Sequence, residues 1–374
     1  MKIVHVASIE LTEQTGMGRI ACNWKKAFER QGHTFIHVGN KECSKAFHNI
    51  LWGKQAANYL KIKGIKPDLI LVHEPASGYF FDFGVPVVLF SHGIEARGWK
   101  VEAQFNYRNQ TLKSLFLPDY FRYKANATGL KKADKLLLSN SEDVDFAISN
   151  FNRKIKDVII FKNGYYAENI PKKDTPQYPP VTFLFNASWL ERKGKSDMIA
   201  AFVQLQKDFP NQWKLILAGI GNHKNAILSE FPSDLHQNLD IIPFFSQAEE
   251  TALYERSDVF VLPSYFEGQS LALTQAMASG LCCVCSDNCG QRDFIKHQEN
   301  GLLFKTGNAT DLANQFKSLL QNPALITTYA KHAKQAVKGY TWDKVGQEIV
   351  DICTQLVGNQ SKKRLHTEGV AITT

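Results

Sequence analysis

No stretch of this chain approaches the roughly 18 consecutive apolar residues of a membrane-spanning helix, which excludes an integral helical membrane protein. The opening Met1-Lys2-Ile3-Val4-His5-Val6-Ala7 is too short and too polar at its flank for a signal peptide, and reads as a first buried strand. The expectation is a cytoplasmic protein. Cysteine is scarce and oddly placed: there are seven, four of them between Cys282 and Cys289. An odd count without a leader argues against a disulfide framework. No second Cys pair or His cluster stands at zinc spacing. Cys282, Cys283 and Cys285 therefore read as small hydrophobes of an apolar strand. Heptads and repeats of solenoid period are also missing, which excludes a coiled coil or an array.

What is present is apolar residue in quantity, 44% of 374 residues, enough for two full cores. Apolar runs of strand length alternate with amphipathic stretches. In the first half the strands are expected at 2–8, 34–39, 68–73, 85–91, 135–140 and 158–162, with helices at 16–31 and 46–63. The segment 168–180 is rich in Pro and charge and reads as a linker. Strands follow at 182–186, 213–218, 239–243, 259–262 and 281–285, and helices at 311–320, 323–339 and 342–357. Alternation of this kind predicts an α/β protein of two doubly wound parallel sheets. The expected division is a first domain at 1–167, the linker at 168–180, a second domain at 181–340, a final helix at 341–357 and a flexible tail at 358–374. Ligands of such sheets gather at the carboxyl ends of the strands, and two such domains would hold one in a cleft between facing loops.

Residues 267–301 are the most informative stretch, EGQSLALTQAMASGLCCVCSDNCGQRDFIKHQENG. Glu267 opens it in a turn after the apolar run Val259-Phe260-Val261-Leu262-Pro263. A helix from 270 to 279, a Gly280 stop and a strand follow. The turn can set Glu267, the backbone N–H groups of Gln269 and Ser270, and a helix N-terminus around one ligand. Backbone donors and a positive helix end favour an anion such as a diphosphate, and the carboxylate favours sugar hydroxyls.

The ordered series Asn163-Gly164, Lys193-Gly194, Gly219-x-Gly221, Tyr254 to Pro263, Glu267-Gly268, Ala276-Met277, Gly280, Gly301-Leu302-Leu303-Phe304 and Tyr340-Thr341-Trp342 resembles the glycosyltransferases of family 4, the group 1 retaining enzymes of GT-B fold. The match covers 155–355 well and the first half loosely. The resemblance implies two Rossmann-like domains, the first for the acceptor and the second for a UDP- or GDP-linked sugar donor, and a last helix that crosses back to the first domain. It implies a sugar moved to a polysaccharide, lipid-linked or other hydroxyl acceptor in cell-envelope glycan synthesis. It also implies that Glu267, His92 and Lys193 are catalytic. Glu267 and His92 would hold the sugar, and Lys193 the leaving diphosphate. Gly16, Gly18, Ser188, Arg192, Gly219, Phe244, Phe245, Gly268, Gln269, Ser270, Leu271 and Gln275 would bind the donor, and His73 and Glu74 would meet the acceptor.

Two positions depart from the family pattern. Gln275 stands where a second acid would face the ribose, and Ser188 where an Arg would precede Lys193 by five residues. A nucleotide-sugar 2-epimerase of the same fold, or an inactive binding domain, remain as alternatives. No metal is expected: Asp143-Val144-Asp145 follows a helix-cap context, and residues i and i+2 do not share a helix face. Gly16-Met17-Gly18-Arg19-Ile20-Ala21 fits the dinucleotide fingerprint G-x-G-x-x-A but lies too far past its strand.

Charge is uneven. Residues 1–165 hold 24 Lys and Arg against 15 Asp and Glu, and the remainder 20 against 21. Within 97–135 nine basic residues meet three acids, interleaved with Trp99, Phe105, Tyr107, Phe116, Phe121 and Tyr123. That mixture suits an anionic bilayer surface and would suit nucleic acid. With the resemblance it points to a peripheral site on the cytoplasmic face of the inner membrane and to no nucleic acid.

Overall fold

The computed structural model describes residues 1–43, 51–105, 116–171, 178–221 and 224–371, with backbone alone at 116–120, 247 and 361–371. It divides into two compact units. The first holds strands β1 (Lys2–Val6), β2 (Thr34–Val38), β3 (Leu69–His73), β4 (Val87–Ser91), β5 (Lys135–Leu138) and β6 (Val158–Ile160), all parallel, in the order β2-β1-β3-β4-β5-β6. Every residue of β3 and β4 is buried, as strands covered on both faces require. Helices α1 (Gly16–Arg30), α2 (Trp52–Ile62), α3 (Glu95–Phe105), α4 (Phe116–Lys132) and α5 (Ser141–Phe151) link them. The apolar stripe of α1 is Ile20, Trp24 and Phe28, spaced by four and buried. The Thr15 hydroxyl caps it by accepting from the Gly18 N–H at 3.2 Å.

The second unit holds β7 (Val181–Asn186), β8 (Trp213–Ala218), β9 (Leu239–Ile242), β10 (Val259–Leu262), β11 (Cys282–Ser286) and β12 (Leu302–Phe304), parallel, in the order β12-β11-β10-β7-β8-β9. Its helices are α6 (Lys195–Asp208), α7 (Lys224–Leu228), α8 (Gln247–Glu255), α9 (Leu271–Ala278), α10 (Cys289–Phe294), α11 (Ala309–Gln321) and α12 (Ala324–Val337). One core layer is built on Phe183, Phe202 and Phe316, whose rings lie 4.9–5.3 Å apart. Cys282, Cys283 and Cys285 are buried free thiols within β11, as their apolar setting predicts.

The last helix, α13 (Trp342–Ala371), groups with the first unit. There Arg30 pairs with Asp343 at 2.6 Å and Gln31 donates to Gln347 at 2.8 Å. Three boundaries differ from the sequence reading. The helix continues through Ala371 where a frayed tail was expected from 358, because Gln, Ser, Lys and Arg are polar yet compatible with helix. The chain passes to the second unit at Asn163–Gly164, a few residues ahead of the expected linker. Tyr165 explains this: it is buried, and its N–H donates to the Tyr340 carbonyl at 2.9 Å. Residues 172–177 of that segment lie outside the described residues. Finally, Arg97–Asn109 groups with the second unit, where the Arg97 guanidinium lies over Phe266 at 4.7 Å and Phe105 stacks on Tyr265 at 4.9 Å. Of the basic, aromatic segment, Tyr107 and the side chain of Phe116 lie outside the described residues, while Phe121 and Tyr123 are exposed.

Candidate active site

In the second unit four adjacent strands, β10-β7-β8-β9, point the same way, so their carboxyl ends form one edge. Ser188, Arg192 and Lys193 follow β7, Gly219 follows β8, Phe244 and Phe245 follow β9, and Glu267, Gly268, Gln269, Ser270 and Leu271 follow β10. These sequence-predicted residues thereby share one rim, whereas Gly16 and Gly18 stand in the first unit and Gln275 lies within α9. Gly194 is what allows the β7 and β10 ends to meet. Its φ is +75°, and a Cβ there would stand 2.0 Å from the Pro263 carbonyl oxygen. The Tyr265 N–H donates to the Arg192 carbonyl at 2.9 Å across the same junction. The result is a buried ion pair, Lys193 Nζ to Glu267 Oε1, with side chains 13% and 10% exposed.

Burial alone would raise the Glu267 carboxyl. The ammonium of Lys193 and the guanidinium of Arg192 overcome it and hold its pKa below the ordinary 4.5. An anionic acid and a cationic Lys thus sit together, mostly out of water, at the start of α9. Ser270 caps that helix by accepting from the Leu273 N–H at 3.2 Å, and Gln269 donates to the Thr274 hydroxyl at 3.1 Å. Gly219 adopts φ +65°, close against the Phe245 ring. Phe244 is 78% exposed, an aromatic face open to a stacking partner. Ser188 and Arg192 are exposed. Gln275 is turned inward: its Oε1 accepts from the Tyr166 N–H at 3.0 Å and its Nε2 donates to the Tyr166 carbonyl at 3.4 Å.

In the first unit Gly16 and Gly18 follow β1, His73 and Glu74 close β3, and His92 follows β4, three adjacent strands of that sheet. A Cβ at Gly18 would meet the Thr12 carbonyl at 2.2 Å, so this close approach is to its own loop. Glu74 is buried and spends both oxygens internally: Oε2 accepts from the Ser91 hydroxyl at 2.6 Å and Oε1 from the Glu95 N–H at 3.1 Å. Burial, then repulsion from Glu95, push its pKa up to about 8, so it is a neutral acid at pH 7. His92 donates to or accepts from His73 at 3.2 Å, and His73 meets His5 at 3.1 Å. Burial lowers His92 to about 4, and burial, aided by the neighbouring imidazoles, holds His5 and His73 well below 6.5. Asn140 is the N-cap of α5: its Oδ1 accepts from the Asp143 N–H and its amide donates to Asp143 Oδ2, both at 2.8 Å, so Asp143 sits in the first turn as the capping residue's partner.

Sequence reasoning missed His5 and His37. The signal is faint but present: each interrupts an apolar strand, Val4-His5-Val6 and Ile36-His37-Val38, and the two are register partners in the sheet.

Comparison with known proteins bears on both sheets. The glycogen synthase of Mycobacterium tuberculosis is 24% identical over 300 residues, 77% of this chain and 68% of that one. Among solved structures, the sucrose-phosphate synthase of Thermosynechococcus elongatus superimposes with a TM-score of 0.77 at 16% identity, covering 96% of this chain and 99% of that one. WaaG, a glycosyltransferase involved in lipopolysaccharide biosynthesis, does so with a TM-score of 0.76 at 15% identity, covering 94% and 99%. Both share the GT-B arrangement of two parallel sheets. Residues 167–338, which hold the buried Lys193–Glu267 pair, match the family model described as glycosyl transferases group 1, and this chain accordingly carries a group 1 glycosyltransferase domain within a GT-B fold.

Proposed function

We propose that this protein moves a sugar from a UDP- or GDP-linked donor to a hydroxyl of a glycan or lipid-linked acceptor, with retention at the anomeric carbon and without a metal. The observation that carries the reading is the buried Lys193–Glu267 pair at the strand ends of the second unit. In this reading Lys193 faces the diphosphate and stabilises the charge that develops as the bond to the anomeric carbon breaks. The acceptor oxygen bonds to the same face of that carbon, and its proton passes to the departing phosphate oxygen. Glu267 and His92 hold sugar hydroxyls. Ser188, Arg192, Gly219 and the 268–271 turn line the nucleotide side, and the base stacks by Phe244 and Phe245. Gln275 supports that side through Tyr166. His73 and Glu74 act behind the acceptor face, holding His92 and α3, and Gly16 and Gly18 shape the loop beside them.

Glycogen and lipopolysaccharide, named for two of the similar proteins, represent the two acceptor classes proposed. Exposed Phe121 and Tyr123, beside a basic stretch, suit a peripheral site on an anionic cytoplasmic membrane face. The test is Glu267→Gln, assayed with UDP- and GDP-linked hexoses. Transfer and donor hydrolysis should fall at least about 100-fold while nucleotide diphosphate binding persists. Wild-type turnover in this variant would end the proposal.

A further inference from the structure

Three neighbouring strands of the first unit carry a histidine each, and a fourth follows β4. Their rings form one continuous chain. His37 Nε2 lies 3.1 Å from the Ile9 carbonyl, His37 Nδ1 lies 2.9 Å from His5 Nδ1, His5 Nε2 lies 3.1 Å from His73 Nε2, and His73 Nδ1 lies 3.2 Å from His92 Nε2. A carbonyl oxygen can only accept, so His37 must carry its proton on Nε2. A neutral imidazole has one donor and one acceptor, which leaves His37 Nδ1 to accept. His5 therefore donates from Nδ1 and accepts at Nε2. His73 donates from Nε2 and accepts at Nδ1. His92 then donates from Nε2, and its Nδ1 remains as a bare lone pair.

We infer that the His37–His5–His73 chain is a tautomer lock that presents His92 to substrate as a hydrogen-bond acceptor at Nδ1, which selects a sugar hydroxyl and disfavours a phosphate oxygen. His37, His5 and His73 are positioning residues, and the identification of the hydroxyl as the donor sugar's rests on the function proposed above. Three further observations support the lock. His92 makes no other hydrogen bond among the described residues and is partly exposed. Burial lowers all four imidazoles, His37 against the opposing pull of the Ile9 carbonyl and Glu42, so the neutral forms needed for the argument prevail at pH 7. The anchor is also built into the backbone. A Cβ at Gly39 would lie 2.3 Å from His37 Nε2 and 2.4 Å from the Ile9 oxygen, so only glycine leaves room for that first hydrogen bond.

The test is nitrogen-15 NMR of the histidine rings in the full chain, which separates protonated from unprotonated ring nitrogens. Titrations with UDP, GDP and their glucose and mannose conjugates accompany it. Wild-type His92 should show a protonated Nε2 and an unprotonated Nδ1. His37→Leu should leave His92 as a tautomer mixture and weaken binding of the nucleotide-sugar by roughly three- to tenfold, with the nucleotide diphosphate unaffected. His37→Gln, which keeps a donor for Ile9 and an acceptor for His5, should retain wild-type binding. A protonated Nδ1 on wild-type His92 would overturn the lock without any variant having to fold. Equal loss of nucleotide and nucleotide-sugar affinity in His37→Leu would also overturn it. If no conjugate binds the wild type, the proposed function fails, and the ring spectra still judge the lock independently.

Discussion

Glu267 and Glu74 are both buried carboxyls that follow a strand of a parallel sheet, β10 in the second unit and β3 in the first, with 8% and 2% of their surface exposed. Their states are opposite. Glu267 is held below its ordinary pKa, and Glu74 is raised to about 8. Burial acts the same way on both, so it cannot explain the difference. The neighbours can: Lys193 and Arg192 beside Glu267, Glu95 and Asp143 beside Glu74. The second sheet keeps charge at its strand ends by pairing it, and the first removes charge by neutralising the acid and every imidazole near it. Ionic stabilisation of a diphosphate suits the charged edge of the second sheet, and hydrogen bonding to hydroxyls suits the neutral edge of the first.

The sharpest way to break this comparison is to turn Glu267 into a second Glu74. Lys193→Met removes the ammonium and leaves the acid buried beside exposed Arg192 alone. The loss should be about 3–5 kcal/mol in urea denaturation, the range for stranding one member of a buried pair. The double variant Lys193→Met, Glu267→Gln should recover most of that stability while transfer stays absent. If the single variant is as stable as wild type, the pair is not what keeps Glu267 ionised.

Acidity separates the two sites next. Glu74 ionises from about 4.5 in the unfolded chain but only near 8 when folded. The folded state therefore holds the extra proton, and this group's contribution is complete below 4.5 and is lost as pH rises toward 8. The histidines have the reverse sign. Their folded values lie below 6.5, so the unfolded chain takes protons first and stability falls as pH drops below 6.5. The melting temperature should peak near pH 6.5. In Glu74→Gln the decline above that point should flatten, the difference reaching on the order of 1 kcal/mol per pH unit. An unchanged alkaline limb would show that Glu74 is ionised in the folded protein.

How far the sequence carried this reading depends on the distance over which a signal acts. Strands of a sheet covered on both faces must be continuous apolar runs, so β3, β4, β8 and β10 were legible to within a residue or two. Glu267 and Lys193 were legible because the spacing around each is local. The neutral state of Glu74 was not, since it depends first on burial by the fold and then on Glu95 and Asp143 arriving from other elements. The histidine chain needs the register of β1, β2 and β3 before His5 and His37 can be seen as neighbours of His73. The change of unit at Asn163–Gly164 was not legible for a different reason: no proline, glycine run or shift of charge marks it, and proline signals irregular backbone rather than a boundary between units.

Gln275 offers the finest test, because it stands where the family carries an acid and yet belongs to neither kind of site. Its amide grips one peptide, accepting from the Tyr166 N–H and donating to the Tyr166 carbonyl. A carboxylate could satisfy the N–H but would face the carbonyl with no proton to give. Glutamine is thus the residue suited to this contact, and the departure from the acid has a local cause. Gln275→Ala should cost about 1–2 kcal/mol and leave UDP affinity within roughly twofold, since the amide acts through the Tyr166 backbone. Gln275→Glu should destabilise by a similar amount and should not tighten UDP. A tenfold loss of UDP affinity in Gln275→Ala, about 1.4 kcal/mol, at unchanged stability would place the amide on the ribose itself. The charged edge of the second sheet would then extend to a polar group that the neutral edge of the first has no counterpart for.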